Sequence, residues 1–246
     1  MEVHHHQPAT TSHSPKKWTH YFWEFLMLFL AVFCGFMAEN MREHAIEKKR
    51  EKIYMKKLVE DLESDTISYN KYARNNVRAL QIIDSLIYLL KSPNRKSHLS
   101  RIYYLARMST LRTDQLITNN RTFEEMRSSG QLRLINNQQV SDSISNYYQS
   151  LKLINTQNER ISVRVNEYFL AMGKVFDAEI FLQIFKNATE PVNQSLQLLT
   201  EDPQQINQLL SLAQYLYGTF THVENQSVKR FESAENLIKL IKSKYL

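Results

Sequence analysis

The feature that most constrains this chain is an apolar run near its start. Residues 21–38 read YFWEFLMLFLAVFCGFMA, eighteen residues with one charged side chain, Glu24. A transmembrane helix needs about twenty mostly apolar residues, with roughly seventeen at the lower end. The run is flanked on its N-terminal side by Trp18 and Tyr21, whose amphipathic rings favour the headgroup region of a bilayer. It therefore predicts a retained transmembrane helix.

Two other interpretations of the run are a cleaved signal peptide and a buried core helix. Lys16 and Lys17 resemble the basic start of a signal peptide, but the run is longer than a usual signal-peptide core. No small-x-small cleavage site follows at Ala38. A core helix normally has a polar face, and residues 25–38 contain no charged side chain. A transmembrane helix is favoured over both alternatives.

Small residues share one face of this predicted helix. At 100° per residue, Glu24, Leu28, Ala31, Gly35 and Ala38 fall within about 40° of one line. Small side chains at such spacing let two membrane helices approach closely, although chance can also place them there. We expect this face to mediate self-association or contact with another membrane protein. Glu24 lies one turn inside the run, and snorkelling to the interface is favoured over a buried role.

The rest of the chain has the apolar periodicity of helices. A set spaced by three, four or seven residues predicts that the first helix continues to about residue 90: Leu58, Leu62, Tyr69, Ala73, Val77, Leu80, Ile83, Ile87 and Leu90. Pro93 and its polar neighbours end it. A shorter helix follows from about residue 99, and longer periodic segments cover residues 140–172 and 206–245. Asp202 and Pro203 form a typical cap and first residue for the last helix.

These segments predict an all-α fold, in which an N-terminal transmembrane helix continues into a long helix of a soluble antiparallel bundle. The predicted organisation is a disordered His-rich tail at 1–20, a transmembrane helix at 21–38 and a helical bundle at 39–246. Only 4 glycines, 5 prolines and one cysteine, Cys34, argue against a β-sandwich, a Gly-rich nucleotide site and a disulfide scaffold. The formal net charge of +6 is too small to indicate a nucleic-acid partner.

Two stretches of the sequence resemble an uncharacterised family of bacterial single-pass membrane proteins. The first includes Glu24-Phe25-Leu26, Phe33-Cys34-Gly35-Phe36, Glu39-Asn40, Arg50-Glu51, Tyr54, Leu58, Asp61-Leu62 and Asp65. The second runs from Phe123 through Ser128, Ser129 and Gly130 to Ile135, with Tyr147-Tyr148 after it. The resemblance covers about residues 20–150 and implies a bacterial membrane protein of unknown function, which we expect in the inner membrane. It implies no catalytic residue, and the His-rich tail differs from the family's more basic tails.

Candidate chemical sites in the sequence are few. The histidines of the tail can attract metal ions, but the tail has no apolar residues to fold around, so we expect no metal site and no cofactor. Asp61 and Asp65 share a helix face, which we interpret as solvated rather than as a metal or acid–base pair. Thr122 and Glu125 have the spacing of a capping box that opens a helix.

Ser128, Ser129 and Gly130 form the most distinctive turn. We interpret it as a helix end with Gly130 in the left-handed region, in preference to an anion site beside Arg127 and Arg133.

The sequence favours a membrane-anchored interaction or scaffolding protein that is not an enzyme. The alternative is a homo-oligomeric membrane assembly with a sensory or channel-like role. Two cations precede the run and seven follow it within about twenty residues, which favours a cytoplasmic bundle, with a periplasmic one close behind.

Overall fold

The computed structural model describes residues 18–110, 116–191 and 195–246. Six α-helices make up most of this part of the chain: α1 (Trp18–Lys91), α2 (Leu99–Thr110), α3 (Arg121–Ser128), α4 (Gln138–Val175), α5 (Ala178–Asn187) and α6 (Pro203–Tyr245). The described residues contain no strand, so the predicted all-α class is confirmed. The histidines of the predicted tail up to His13 lie outside the described residues.

The ends of the long helices follow the sequence signals. Helix α1 ends at Lys91, two residues before Pro93. The N-terminus of α6 is capped by Asp202, whose side chain accepts a hydrogen bond from the Gln204 N–H. Asn137 caps α4 in the same way, with its side-chain oxygen 3.0 Å from the Val140 nitrogen. Each cap satisfies a backbone donor that the helix itself leaves unpaired.

The chain divides into two units, residues 1–50 and 51–246, and the boundary falls within α1. In the first unit the structure describes helix only, from Trp18 onward. The second unit holds the remainder of α1 and all of the other helices. Each unit is considered separately below.

Four helical layers form the second unit. Helices α1 and α4 run in parallel, since Glu51 lies against Asn136 and Asp65 against Tyr147. Helix α6 runs antiparallel to both, and its last turn reaches Glu51 through Tyr245. Between α1 and α4 the chain returns through α2 and then α3, which together make the fourth layer. The result is an antiparallel bundle in which the layer of α2 and α3 consists of two separate short helices.

Two apolar cores fill the second unit. The larger includes Ile83, Leu86, Ile102, Tyr168 and Leu209, and helix α5 packs on it through the buried Ile184. The other core surrounds the first turns of α1 in this unit and includes Met55, Leu58, Leu62, Tyr69 and Tyr148. Burying side chains of this size is the main stabilising contribution to such a bundle.

One position of the predicted α1 stripe is wrong. Val77 is 41% exposed, while its neighbour Asn76 is fully buried. The Asn76 amide nitrogen donates to the Phe220 carbonyl oxygen at 2.9 Å, which ties α1 to α6. A hydrogen-bonded asparagine thus occupies the inward position between the two cores, and this turns Val77 toward solvent.

Candidate functional site

Helix α1 contains one segment that is long and apolar enough to cross a membrane. None of the residues in its eighteen-residue apolar window is buried by the chain. Phe25, Leu28 and Phe36 are 67%, 71% and 72% exposed. The rings of Phe25, Phe29 and Phe33 stack in series along one side of the helix, with centroids 6.3 and 6.0 Å apart. The described residues leave this apolar surface uncovered.

The small-residue face predicted from the sequence is open in this segment. Ala31, Gly35 and Ala38 are all exposed, and a Cβ atom added to Gly35 would meet no atom within 4 Å. Glu24 begins the same face, and its carboxylate lies 3.0 Å from His20 Nε2, one turn nearer the N-terminus. The direction of this contact agrees with a side chain reaching toward the end of the span. Self-association through this face stays a prediction.

The turn at Ser128, Ser129 and Gly130 is a helix end, as interpreted from the sequence. Helix α3 ends at Ser128, and Gly130 has φ 69°, in the left-handed region. Both serine hydroxyls donate to the Glu125 carbonyl oxygen, at 3.2 and 2.6 Å. The Arg127 guanidinium pairs with Glu124 on the same helix. The polar groups of the turn are therefore engaged within α3.

The predicted capping box at the start of α3 is wrong. The cap residue is Asn120, whose side chain makes no capping hydrogen bond, and Thr122 lies buried inside the first turn. The Thr122 N–H donates instead to Asp61 Oδ2 at 3.0 Å. Glu125 accepts a hydrogen bond from the Tyr54 hydroxyl at 3.1 Å rather than reaching back to the cap. The carboxylate that accepts from the N-terminus of α3 is therefore Asp61 of α1.

Asp61 and Asp65 are buried, not solvated as expected, with 2% and 1% exposure. Asp61 accepts from the Asn119 side-chain amide at 2.7 Å in addition to the Thr122 N–H. Asp65 accepts from the Asn119 N–H at 2.6 Å and from the Tyr147 hydroxyl at 2.7 Å. The two carboxylates thereby bind the loop before α3 to α1. We call Asp61, Asp65, Asn119, Thr122 and Tyr147 the aspartate clamp.

Burial and hydrogen bonding have opposite effects on the pKa of Asp65 in the clamp. Burial raises the pKa of Asp65 to about 6, more than its hydrogen bonds from Asn119 and Tyr147 lower it. Since Tyr147 donates its proton to Asp65, the Tyr69 hydroxyl donates to the Tyr147 oxygen, 3.3 Å away. Burial raises the pKa of Tyr69 to about 12 and that of Tyr147 further, so both phenols stay protonated.

A second buried acid joins three elements near the start of this unit. Glu51 is 4% exposed and accepts from the Asn136 N–H and side-chain amide, at 2.7 and 3.1 Å. The Tyr245 hydroxyl also donates to Glu51, at 2.7 Å, and its oxygen accepts from the Asn137 N–H. Burial is the main cause that raises the pKa of Tyr245 to about 12. Glu51 therefore fixes the entry to α4 and the last turn of α6.

The two stretches that carry the family resemblance adjoin one another in space. Tyr54 donates to Glu125, and Tyr147 donates to Asp65, so hydrogen bonds join the two stretches. Within the second stretch the rings of Phe123 and Tyr148 stack with centroids 4.3 Å apart. Phe123, Tyr147 and Tyr148 belong to the second apolar core.

An open groove runs between α4 and α6 in the second unit. It consists of two adjoining cavities of about 430 and 510 Å³ that share Arg160, Arg164 and Tyr215. Gly218 lies on the α6 side, where the lack of a side chain deepens the groove, and His222 lies further along. The guanidinium carbon of Arg164 is 5.9 Å from the centre of the Tyr215 ring.

The cations of the groove have no acidic partner in the part of the chain that the structure describes. Beneath one end lies Arg230, only 7% exposed, whose guanidinium donates to Gln157 Oε1 at 3.3 and 3.4 Å. Burial lowers the pKa of this guanidinium. Gln157 also lines the groove, and its side chain is held in place by these hydrogen bonds from the buried Arg230.

No sequence signal pointed to this groove, because its two walls come from separate helices, residues 157–167 of α4 and 212–223 of α6. Among the described residues, no three His, Cys, Asp or Glu side chains lie close enough to hold a metal ion. Comparison of the chain with family models, curated proteins and solved structures gave no match.

Proposed function

We propose that this chain is a single-pass membrane protein whose helical bundle acts by binding a partner, as an interaction or scaffolding module. The observation that carries the membrane assignment is the apolar segment of α1, in which no side chain of the window is buried by the chain. Exposed phenylalanine and leucine in this density are unfavourable in water and favourable in hydrocarbon.

The polar groups of the bundle support binding rather than catalysis as its role. The three buried acids Glu51, Asp61 and Asp65 accept hydrogen bonds from backbone amides and stabilise the packing of loops on helices. The α4–α6 groove is a concave surface that combines cations with an aromatic ring. An open groove of this kind suits a protein segment better than a reaction that must exclude water.

The resemblance to the bacterial family and the charge bias around the span support two further parts of the proposal. They are an inner-membrane location and a cytoplasmic bundle. Protease accessibility of the C-terminus in spheroplasts distinguishes a cytoplasmic from a periplasmic bundle. Protection of the C-terminus until the cells are lysed is the expected result.

Alkaline carbonate extraction tests the membrane assignment. We expect the full chain to stay in the membrane pellet, and the double variant Leu30→Arg, Val32→Arg to lose this retention, since each arginine near the centre of a span costs about 2.5–3.5 kcal/mol. The matched control is Ile53→Arg with Ile67→Arg, two exposed apolar positions of α1 outside the segment. Recovery of the wild-type chain in the soluble fraction would contradict the proposal.

A further inference from the structure

The groove between α4 and α6 combines apolar surface with two arginines that form no ion pair among the described residues, and its lining includes one acid, Glu167, beyond Arg164 along α4. Arg160 and Arg164 are exposed, one helical turn apart, and form no ion pair with any described acid. Ile161 of α4 and Val223 of α6 line the same groove with apolar side chains. Of the other exposed arginines in the described bundle, three are paired with a carboxylate and three are not: Arg101, Arg121 and Arg127 against Arg74, Arg78 and Arg133. Arg160 and Arg164 differ from these unpaired arginines because they line a recess together with apolar side chains. A ligand with both an acidic and an apolar part therefore complements this surface.

The shape of the groove distinguishes among anionic ligands. It follows α4 from Gln157 to Glu167, ten residues, which corresponds to about 15 Å along a helix axis. A flat membrane surface binds cations that protrude from a protein. Arg160 and Arg164 instead line a recess, which does not suit such a surface. A small metabolite needs a pocket that covers most of its surface, whereas this recess is open along its length. An elongated ligand, such as a peptide segment, matches these dimensions.

We infer that the α4–α6 groove binds an acidic, apolar-containing helical segment of a partner protein, with its carboxylates on Arg160 and Arg164 and its apolar side chains against Tyr215 and the floor at Gly218. This inference rests on the proposed binding function and specifies the chemistry of the partner. Helix-in-groove recognition of this kind uses apolar anchors at three- and four-residue spacing, and the charges set orientation and selectivity.

The probe for this inference is a synthetic fluorescent amphipathic peptide with glutamates on one helical face and leucine and phenylalanine on the other. A second peptide carries glutamine in place of each glutamate. Binding of both to the purified full chain in non-ionic detergent is followed by fluorescence anisotropy. We expect the acidic peptide to bind at least about tenfold more tightly, with affinity falling as salt rises.

Two variants test the groove itself. Arg160→Gln with Arg164→Gln removes the charges, and we expect the affinity for the acidic peptide to fall about tenfold. Arg74→Gln with Arg78→Gln is the matched control, an exposed pair at the same spacing on α1.

Gly218→Leu fills the groove, whereas Gly173→Leu adds the same side chain to α4; an added Cβ meets no atom within 4 Å at either glycine. We expect loss of peptide binding only in Gly218→Leu.

Three results would overturn the inference. They are absence of binding, equal affinity for the two peptides, and equal losses in the groove variants and their controls. A fourth outcome is that the chain does not bind the peptide but binds anionic lipid vesicles. If Arg160→Gln with Arg164→Gln abolishes that vesicle binding, the groove is a lipid-binding surface and the inference is wrong. The carbonate extraction is independent of each of these results, so a failure of the groove and a failure of the membrane assignment are distinguishable.

Discussion

The buried carboxyl group of Asp65 makes a specific prediction for the pH dependence of stability. In the folded chain its pKa is raised to about 6, against an ordinary value of 3.8. The folded state therefore binds this proton more tightly than the unfolded state does. The resulting stabilisation is fully present below about pH 3.8 and is lost as the pH rises through about 6.

The magnitude follows from the difference of the two pKa values, 6 − 3.8 = 2.2. One pKa unit corresponds to about 1.4 kcal/mol, so the contribution of Asp65 to the free energy of unfolding falls by about 3 kcal/mol between pH about 3 and pH about 7. Other acids titrate in the same range. The quantity to measure is therefore the difference between the wild type and Asp65→Asn, in which position 65 stays polar and cannot ionise.

Urea unfolding of the full chain in non-ionic detergent, followed by helical circular dichroism, gives these free energies. We expect the free energy of unfolding of Asp65→Asn, relative to that of the wild type, to rise by about 3 kcal/mol from pH about 3 to pH about 7. Asp84→Asn, an exposed position on the same helix, serves as the control and should follow the wild-type profile. If the Asp65→Asn and wild-type curves run parallel, the clamp does not hold a destabilised carboxylate and the reasoning fails.

Three further substitutions, two of them paired with a control substitution, test the packing and the predicted helix contact. Gly130→Ala should lower the free energy of unfolding by about 1–2 kcal/mol because alanine is strained at φ 69°. Gly173→Ala, inside α4, should raise the free energy of unfolding by about 0.5–1 kcal/mol. Chemical unfolding measures both changes. Ile83→Ala should cost about 3 kcal/mol in the same assay, and Ile67→Ala, 71% exposed, well under 1 kcal/mol. Gly35→Leu should reduce the mass of the detergent-solubilised assembly, measured by light scattering, if the small-residue face packs helices together; an unchanged mass, or a monomeric wild type, would exclude that contact.

The helices were predictable from the sequence because local signals set their ends. Apolar spacing, Pro93 and the Asp202–Pro203 pair each act through neighbouring residues, and the structure agrees with them. A signal for the aspartate clamp was also present. Asp61 and Asp65 lie three residues after Leu58 and Leu62, on the inward stripe of α1, where a solvated interpretation contradicts the period.

The origin of the α3 cap was not predictable from local sequence. Thr122 and Glu125 have the spacing of a capping box, but the loop before them meets two carboxylates more than fifty residues away, and these bind the free amides first. The α4–α6 groove was likewise not predictable from the local sequence. Its walls come from α4 and α6, and only the packing of the bundle places Arg164 beside Tyr215.

The reactivity of Cys34 tests the central proposal, that the apolar segment lies in a bilayer, most directly. This thiol is exposed on the chain itself, so water would leave it free to react. In hydrocarbon the reactive thiolate does not form. In membrane vesicles treated with a maleimide that reaches both faces, we expect Cys34 to stay unlabelled until the membrane is dissolved and the chain denatured. Ser243→Cys in a Cys34→Ser background, at an exposed position of α6, should label at once. Equal labelling of the two thiols in intact membranes would contradict the membrane assignment.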